Sequence, residues 1–204
     1  MVHETFQPKL WTPRSVKDTQ AVYADWAATY EADVLAMNYA TPARIAAAVA
    51  AAVPDRSVPV LDFGCGTGLS GQAMAHEGFT VIDGTDISEP MLAQAHGKGC
   101  YRDLWVGTPG EVGIIPGTYG IIIATGVVSL GAATPEMLGT LLSALLPTGI
   151  LAFSYNDPTL EDASYIAALD AVLASGTATL ISREHGPHLS EKVTGSDVIV
   201  LRRQ

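Results

Sequence analysis

The first part of the chain repeats large apolar residues at the spacing of an α-helix. Four of them recur at every fourth position: Val22, Trp26, Tyr30 and Val34. This period predicts one helix over residues 18–37. A second helix is predicted to begin with Thr41 as its N-cap and Pro42 as its first residue, and to end before Pro54. Together these helices form a helical N-terminal extension, residues 1–57.

From residue 58 onward, short apolar runs alternate with helical patterns. The predicted strands are 58–63, 79–84, 101–106, 119–124 and 150–154, and the predicted helices are 67–76, 88–96, 135–146 and 159–174. Apolar runs without alternation predict strands covered on both faces, and the helices between them supply that cover, so the strands form a parallel sheet. Residues 178–183 and 198–202 have no helix between them, which predicts a terminal antiparallel hairpin. The expected fold is a three-layer α/β sandwich.

Composition favours one structural unit over residues 58–204. The chain has 204 residues, of which 48% are hydrophobic, enough for a sizeable core. The formal net charge is −10, which repels phosphate backbones, and the densest basic patch is the pair Arg202-Arg203. We therefore expect no nucleic-acid partner.

Other features exclude further classes of protein. No apolar run reaches about 18 residues, and the first ten residues contain no apolar signal-peptide segment, so we expect a cytoplasmic protein without a membrane partner. Cys65 and Cys100 fit no zinc spacing, and no metal site is expected. The oligomeric state is left open between a monomer and a homodimer.

A glycine-rich turn follows the first predicted strand. Residues 66–71, Gly-Thr-Gly-Leu-Ser-Gly, match the dinucleotide pattern GxGxxG, and Asp86 follows 20 residues after Gly66. That register would bury Asp62 unpaired inside the strand, which is costly. If the strand instead ends near Asp62, the turn begins at Gly64 and the carboxylate faces the ligand. This carboxylate would repel a pyrophosphate and suit a positively charged ligand.

The second register, hydrophobic-hydrophobic-Asp-x-Gly-x-Gly-x-Gly followed by an acid at the end of the next strand, resembles motif I of the class I S-adenosylmethionine-dependent methyltransferases. The resemblance covers residues 58–155. It implies a Rossmann-like, seven-stranded, mostly parallel sheet with a C-terminal antiparallel hairpin and an N-terminal helical lid. It also implies S-adenosylmethionine as cofactor, S-adenosylhomocysteine as product, and methyl transfer to an oxygen, nitrogen or carbon atom of a small molecule.

The resemblance implies a set of cofactor-binding residues along the carboxyl edge of the sheet. They are Asp62, Gly64, Cys65, Gly66, Gly68, Leu69, Asp86, Ile87, Ser88, Met91, Asp103, Leu104, Thr125 and Gly126. Asp86 would bind the ribose hydroxyls, or alternatively form an Asx turn before Ser88. Asp103 would bind the adenine amino group, or lie in a surface loop. Asp83 is expected to face solvent, and Gly120 departs from the family, which usually has an aspartate there.

Aromatic residues near the N-terminus extend the resemblance. The pattern Tyr23-x-x-Trp26-Ala27-x-x-Tyr30, followed by Tyr39, resembles the leader of small methyltransferases of the Williams–Beuren-region type. It implies a helix that covers the cofactor, with Trp26, Tyr30 and Tyr39 around the methionine part. A sulfonium against such rings gains about 0.5–2 kcal/mol. The alternative is that these aromatic side chains are ordinary core.

Candidate catalytic residues are few. Methyl transfer from a sulfonium is an in-line displacement that depends on orientation and exclusion of water, so a base is not obligatory. The ionisable candidates are His185, His188 and Tyr155, with the two histidines expected in the loop that joins the last two strands. Exposed loop histidines without a catalytic role are the alternative. Two other classes stay open: an NAD-dependent oxidoreductase and a non-catalytic S-adenosylmethionine-binding protein.

Overall fold

The structure, a computed structural model, describes Thr12 and residues 15–204, except for the side chain of Val16. The start of the predicted extension 1–57 and the ten residues searched for a signal peptide therefore lie outside the described residues. No helix within the described residues is long and apolar enough to cross a membrane.

The described part of the N-terminal segment contains three helices: α1 (Val16–Trp26), α2 (Tyr30–Ala36) and α3 (Thr41–Ala52). The prediction of one continuous helix over 18–37 was wrong, because the chain turns between α1 and α2. The carboxylate of Asp33 accepts hydrogen bonds from the Trp26 indole at 2.7 Å and from the Thr29 hydroxyl at 3.0 Å. These hydrogen bonds stabilise the turn, because a side chain that forms local hydrogen bonds competes with the regular hydrogen bonding of a helix.

The N-cap of α3 also differs from the prediction. Ala40 occupies the N-cap position and Thr41 is the first helical residue. The Thr41 hydroxyl makes long-range hydrogen bonds instead, to His188 and Ser196 near the other end of the chain. This tertiary bonding replaces the local cap that the sequence predicted.

Seven strands form one mixed sheet. The remaining elements are β1 (Val60–Phe63), α4 (Leu69–His76), β2 (Ile82–Asp86), α5 (Glu89–His96), β3 (Asp103–Val106), β4 (Tyr119–Ala124), α6 (Met137–Ala144), β5 (Leu145–Asn156), α7 (Asp157–Leu160), α8 (Ala163–Ala174), β6 (Ala178–Pro187) and β7 (Gly195–Arg203). The strand order is β3-β2-β1-β4-β5-β7-β6. Strands β1 to β5 are parallel, and β7 runs antiparallel to both β5 and β6. The predicted α/β fold with its C-terminal hairpin is confirmed.

The core lies on both faces of the sheet, which explains the apolar runs without alternation. Successive residues of a strand point to opposite faces. In β4, Ile122 belongs to the apolar cluster under α6, whereas Ile121 and Ile123 belong to the cluster under α3 and α4. All three side chains are fully buried. The fold is therefore a three-layer sandwich, as expected.

Asp83 in β2 is buried, and the expectation that it faces solvent was wrong. The Arg102 guanidinium forms an ion pair with its carboxylate, and the Tyr119 hydroxyl donates a hydrogen bond to it at 2.7 Å. Burial alone would raise the pKa of Asp83, but these bonds lower the pKa below its ordinary value. A buried carboxylate is tolerated here because it is paired.

The strand order places a crevice at the carboxyl edge of the sheet. β1 is paired with β2 on one side and β4 on the other, so the chain winds in opposite directions from this point. In open α/β sheets, ligands bind in the crevice at such a reversal. The loops that follow β1, β2, β3 and β4 all begin at this edge of the sheet.

Candidate cofactor and acceptor site

The turn after β1 keeps its backbone open toward the crevice. Gly66 has a φ of +54°, in the left-handed region, and a Cβ added to it would meet no atom within 4 Å. Gly68 is the left-handed N-cap of α4, with a φ of +91°. A turn of this kind lets a ligand approach the main chain closely, since no side chain stands between them.

Asp86 ends β2 and holds the glycine-rich turn from the opposite side. Its Oδ2 accepts a hydrogen bond from the backbone N–H of Gly66, and its Oδ1 accepts one from that of Ser88, both at 2.8 Å. Burial raises the pKa of the Asp86 carboxyl, although these two hydrogen bonds oppose that shift. The Asx turn before Ser88 is therefore present, and the same carboxylate also borders the cavity described next.

The crevice forms a cavity of about 240 Å³ that is lined on one side by residues of α1 and α2. Small-molecule sites usually occupy about 300–1,000 Å³, so this one suits a small ligand. Of the predicted residues, the wall contains Trp26, Tyr30, Tyr39, Gly64, Gly66, Asp86, Ile87, Met91, Thr125, Gly126 and His188. The sequence thus predicted much of the wall, including residues separated by over 150 positions.

Aromatic side chains form the upper wall. The Trp26 and Tyr30 rings meet edge to face with their centroids 4.6 Å apart, and the Tyr39 and His188 rings do so at 5.2 Å. Burial raises the pKa of both Tyr30 and Tyr39, so the two phenols stay neutral. Trp26 is also 96% buried, which means that it is core and cavity wall at once.

Polar contacts fasten the aromatic helices onto the sheet domain. Glu31 in α2 forms an ion pair with Lys98 at 2.8 Å, and the Gln20 side-chain amide donates to the carbonyl of Ile87 at 3.2 Å. We call residues 16–36, which comprise α1 and α2, the aromatic lid.

Seven predicted residues lie outside the cavity wall: Asp62, Cys65, Gly68, Leu69, Ser88, Asp103 and Leu104. The placement of the adenine-binding acid was wrong, because Asp103 begins β3 and is exposed, whereas the strand ends at Val106. The loop 107–111 that follows lines the cavity instead and was missed. Its composition, Gly-Thr-Pro-Gly-Glu, is a turn signal that marks the true end of the strand.

Asp62 lies beneath the glycine-rich turn and does not face the cavity. It is fully buried, and its Oδ2 accepts a hydrogen bond from the Tyr101 hydroxyl at 2.7 Å. The same hydroxyl accepts a hydrogen bond from the backbone N–H of Gly71 at 3.2 Å. Burial raises the pKa of Asp62 to about 7, while the bond from Tyr101 opposes that shift. The Asp62 side chain therefore supports the turn from below.

The three catalytic candidates separate in the structure. His185 lies within β6 rather than in the loop, is exposed, and has its Nδ1 2.9 Å from Asp197 Oδ1. Tyr155 is fully buried in the core between Phe153 and Tyr165, at ring-centroid distances of 5.0 and 5.7 Å. Neither borders the cavity, so the structure places both outside the candidate site. His188 does border the cavity.

The wall fits the implied cofactor. The hydroxyl oxygens of Thr85 and Thr125 are buried at the cavity without a hydrogen-bond partner, which leaves them available to a polar ligand. Asp86 supplies a carboxylate for ribose hydroxyls, and the aromatic lid supplies ring faces for a sulfonium. Among the described residues, no group of three or more histidine, cysteine or acidic side chains could hold a metal ion.

Comparison with known proteins agrees with this site. A family model described as "Methyltransferase domain" matches residues 37–192, and the chain belongs to that family. The predicted methyltransferase class is thereby confirmed, whereas the Williams–Beuren-type subfamily stays a prediction. Methyltransferase-like protein 27 from Homo sapiens is 30% identical over 159 residues, which are 74% of this chain and 62% of that protein. The 18S rRNA (guanine-N(7))-methyltransferase from Bos taurus is 39% identical over 75 residues, 36% of this chain and 26% of that protein.

Solved structures share the fold at low sequence identity. Magnesium protoporphyrin IX methyltransferase from Synechocystis PCC 6803, solved with bound S-adenosylhomocysteine, superposes with a TM-score of 0.69 and 18% identity, over 92% of this chain and 99% of that one. An S-adenosylmethionine-dependent methyltransferase from Mesorhizobium loti superposes with a TM-score of 0.60 and 16% identity, over 76% of this chain and 96% of that one. The chain spans about 62% and 26% of the two curated relatives named above.

Proposed function

We propose that the protein is an S-adenosylmethionine-dependent methyltransferase whose methyl acceptor is a small molecule. The observation that supports this most is the cavity at the carboxyl edge of the sheet. It joins an open glycine turn, the Asp86 carboxylate and an aromatic lid around one small volume.

Residues of β2, of the glycine-rich turn and of the aromatic lid would hold S-adenosylmethionine. Asp86 would accept hydrogen bonds from the ribose, Gly66 would allow close approach of the main chain, and Trp26 and Tyr30 would cover the methionine part. When bound, the cofactor supplies an electrophilic methyl group. With the cofactor bound, the lid would exclude water from the cavity, and such exclusion strengthens electrostatic interactions inside a site.

The mechanism relies on orientation. Tyr155 and His185 lie away from the cavity wall, and the buried tyrosines Tyr30 and Tyr39 keep their protons. A bound acceptor that is already nucleophilic needs only to be aligned, and alignment is worth up to about 7–11 kcal/mol in well-oriented systems. The chain's contribution would be to fix that alignment.

The rRNA-modifying relative suggests a different acceptor, but the charge of this chain opposes it. A net charge of −10 repels RNA, and the cavity volume of about 240 Å³ suits a small ligand. A non-catalytic S-adenosylmethionine-binding protein would have the same cofactor-binding residues. A measurement of methyl transfer therefore separates it from an enzyme.

Thermal denaturation with a panel of ligands tests the cofactor. S-adenosylmethionine and S-adenosylhomocysteine should both raise the melting temperature, because a ligand at 100 times its dissociation constant adds about 2.7 kcal/mol to the free energy of unfolding. NAD and NADP should have no effect. Stabilisation by NAD alone would replace the methyltransferase proposal with an oxidoreductase.

A further inference from the structure

His188 lies at the end of a chain of hydrogen bonds that enters the cavity wall. Of the described histidines, it alone borders the cavity, and it is 6% exposed. Its Nδ1 lies 2.7 Å from Thr41 Oγ1, which in turn lies 3.1 Å from Ser196 Oγ. Arg44 Nη1 lies 3.0 Å from the same Ser196 oxygen. These bonds join α3, β7 and the loop between β6 and β7.

Arg44 fixes the first hydrogen bond, because a guanidinium only donates, so Ser196 Oγ accepts from it. Ser196 is fully buried, and among the described residues Thr41 Oγ1 is the one partner of Ser196 Oγ that can accept, so the serine hydrogen is satisfied only if it is donated to Thr41. Thr41 Oγ1 accepts from Ser196 and donates its single hydrogen to His188 Nδ1. Nδ1 is therefore an acceptor.

A neutral imidazole with an accepting Nδ1 carries its proton on Nε2. Burial lowers the pKa of His188 to about 4, so the ring is neutral near pH 7. Among residues 15–204, the structure shows no hydrogen-bond partner for Nε2. A ring that borders the cavity with a protonated, unpartnered Nε2 presents a hydrogen-bond donor and cannot take a proton at that atom.

The rest of the wall restricts the charge of the acceptor. No lysine or arginine occurs among the described residues of the cavity wall, whose carboxylates are Asp86 and Glu111. A phosphate or carboxylate on the acceptor would therefore lack a cationic partner. The neighbours of His188 in the wall, Leu189 and Tyr39, are mainly apolar.

We propose that His188 determines acceptor specificity: its Nε2–H donates a hydrogen bond to a carbonyl-type oxygen of an uncharged, largely apolar methyl acceptor. This inference rests on the proposed function and narrows its substrate class. It assigns His188 to binding, whereas the sequence left open a general base or an exposed loop histidine without a catalytic role.

Nuclear magnetic resonance of the full chain tests the tautomer directly. Long-range ¹H–¹⁵N correlation should show His188 with a pyridine-type Nδ1 and a pyrrole-type Nε2 between pH 6 and 8; His188→Gln assigns the signals. Thr41→Ser should keep this pattern, because serine retains the hydroxyl donor. Thr41→Val, which removes the donor while keeping the shape, should increase the Nδ1–H tautomer. A pyrrole-type Nδ1 in the unmodified protein would overturn the proposal.

Three matched probes test the acceptor class on protein loaded with S-adenosylhomocysteine. Acetophenone offers a carbonyl oxygen, ethylbenzene lacks it, and benzylamine carries a positive charge. Acetophenone should bind about three- to tenfold more tightly than ethylbenzene, the usual net effect of one hydrogen bond, and should shift the Nε2 resonance. His188→Leu should abolish this preference, and His188→Gln, which keeps an N–H donor, should retain part of it.

Two results separate the possible failures. If benzylamine binds best, or if His188→Leu keeps the preference for acetophenone, the assignment of His188 is overturned while the methyltransferase proposal stands. If the unmodified protein does not bind S-adenosylhomocysteine, the proposed function itself fails before any probe is added. Calorimetric titration with S-adenosylhomocysteine therefore precedes the probe measurements.

Discussion

At the scale of single residues, Asp86 has two tasks that one substitution can reveal together. Asp86→Ala removes the acceptor for the ribose and for the backbone N–H groups of Gly66 and Ser88. We expect S-adenosylhomocysteine to bind more weakly by roughly 1.5–3 kcal/mol, and the free energy of unfolding to fall by about 1–2 kcal/mol. Isothermal titration and urea denaturation measure the two effects.

Asp103→Ala is the matched control for Asp86→Ala. Asp103 is an exposed aspartate at the start of β3, outside the cavity wall. Its replacement should change affinity less than twofold and stability by less than about 0.5 kcal/mol. Equal losses in the two variants would mean that the adenine-binding position predicted from the sequence was right after all.

The Asp62 carboxyl makes stability depend on pH. Its folded-state pKa of about 7 exceeds the value of about 3.9 for an unfolded chain, so the folded protein binds more protons between those two pH values. This contribution lowers the free energy of unfolding as pH rises from 4 to 7 and is constant above. Asp62→Asn, which still accepts from Tyr101, should remove this fall, on the order of 2–4 kcal/mol.

Urea denaturation of both proteins at pH 4, 5.5, 7 and 8 checks the effect of Asp62→Asn. His188 acts in the opposite direction, since its lowered pKa destabilises the folded state as pH falls through 6.5. That contribution is present in both proteins and cancels in their difference. A difference in unfolding free energy that is the same at every pH would show that Asp62 is ionised throughout.

Residue patterns predicted part of the cavity wall and missed the rest for physical reasons. Asp86, Gly64 and Gly66 were found because a turn and a carboxylate at strand ends have a local signature. Asp103 was misplaced because the end of a four-residue strand cannot be located from apolar pattern alone. The hydrogen bond between Thr41 and His188 joins residues 147 positions apart, which no local pattern encodes.

At the scale of elements, we expect the aromatic lid to be the part of the site most free to move. It packs through a small apolar cluster around Trp26, Val34, Met37 and Leu189, separate from the two main clusters of the sheet. We expect amide hydrogens of residues 16–36 to exchange faster than those of β4, and to slow when S-adenosylhomocysteine is added. Equal exchange with and without ligand would make the lid a fixed part of the core.

Trp26→Ala tests the same lid by its effect on binding. Trp26 borders the cavity, so its removal should weaken the binding of S-adenosylmethionine by about 0.5–2 kcal/mol through lost contact with the sulfonium. Leu35→Ala, at a lid residue that is 57% exposed, is the control and should leave affinity unchanged. A Trp26→Ala protein that stays folded and binds as tightly as the original would remove Trp26 from the site.

At the scale of the whole molecule, net charge predicts which partners are excluded. With a charge of −10, the protein should show no binding to a fluorescent 20-nucleotide RNA at 150 mM salt, measured by anisotropy. Micromolar binding that weakens steeply as salt rises would identify a basic surface and reopen an RNA acceptor. The same titration at 50 mM salt shows whether repulsion is the cause.

The overall fold was easier to predict than the lid, and the sheet explains why. Strands buried on both faces leave long apolar runs such as 119–124, and parallel connections allow few topologies. The break between α1 and α2 depends instead on one carboxylate, Asp33, that collects two hydrogen bonds. The spacing of apolar residues along the sequence cannot reveal such a hydrogen bond.

The position of β7 in the sheet governs how the chain can assemble during its synthesis. β6 pairs only with β7, and β7 alone connects it to β5. The ribosome therefore synthesises β6 before the strand that joins it to the rest of the sheet. Strands β1 to β5 can pair as they emerge, but β6 must wait until residues 195–203 have left the exit tunnel and inserted between two strands made earlier.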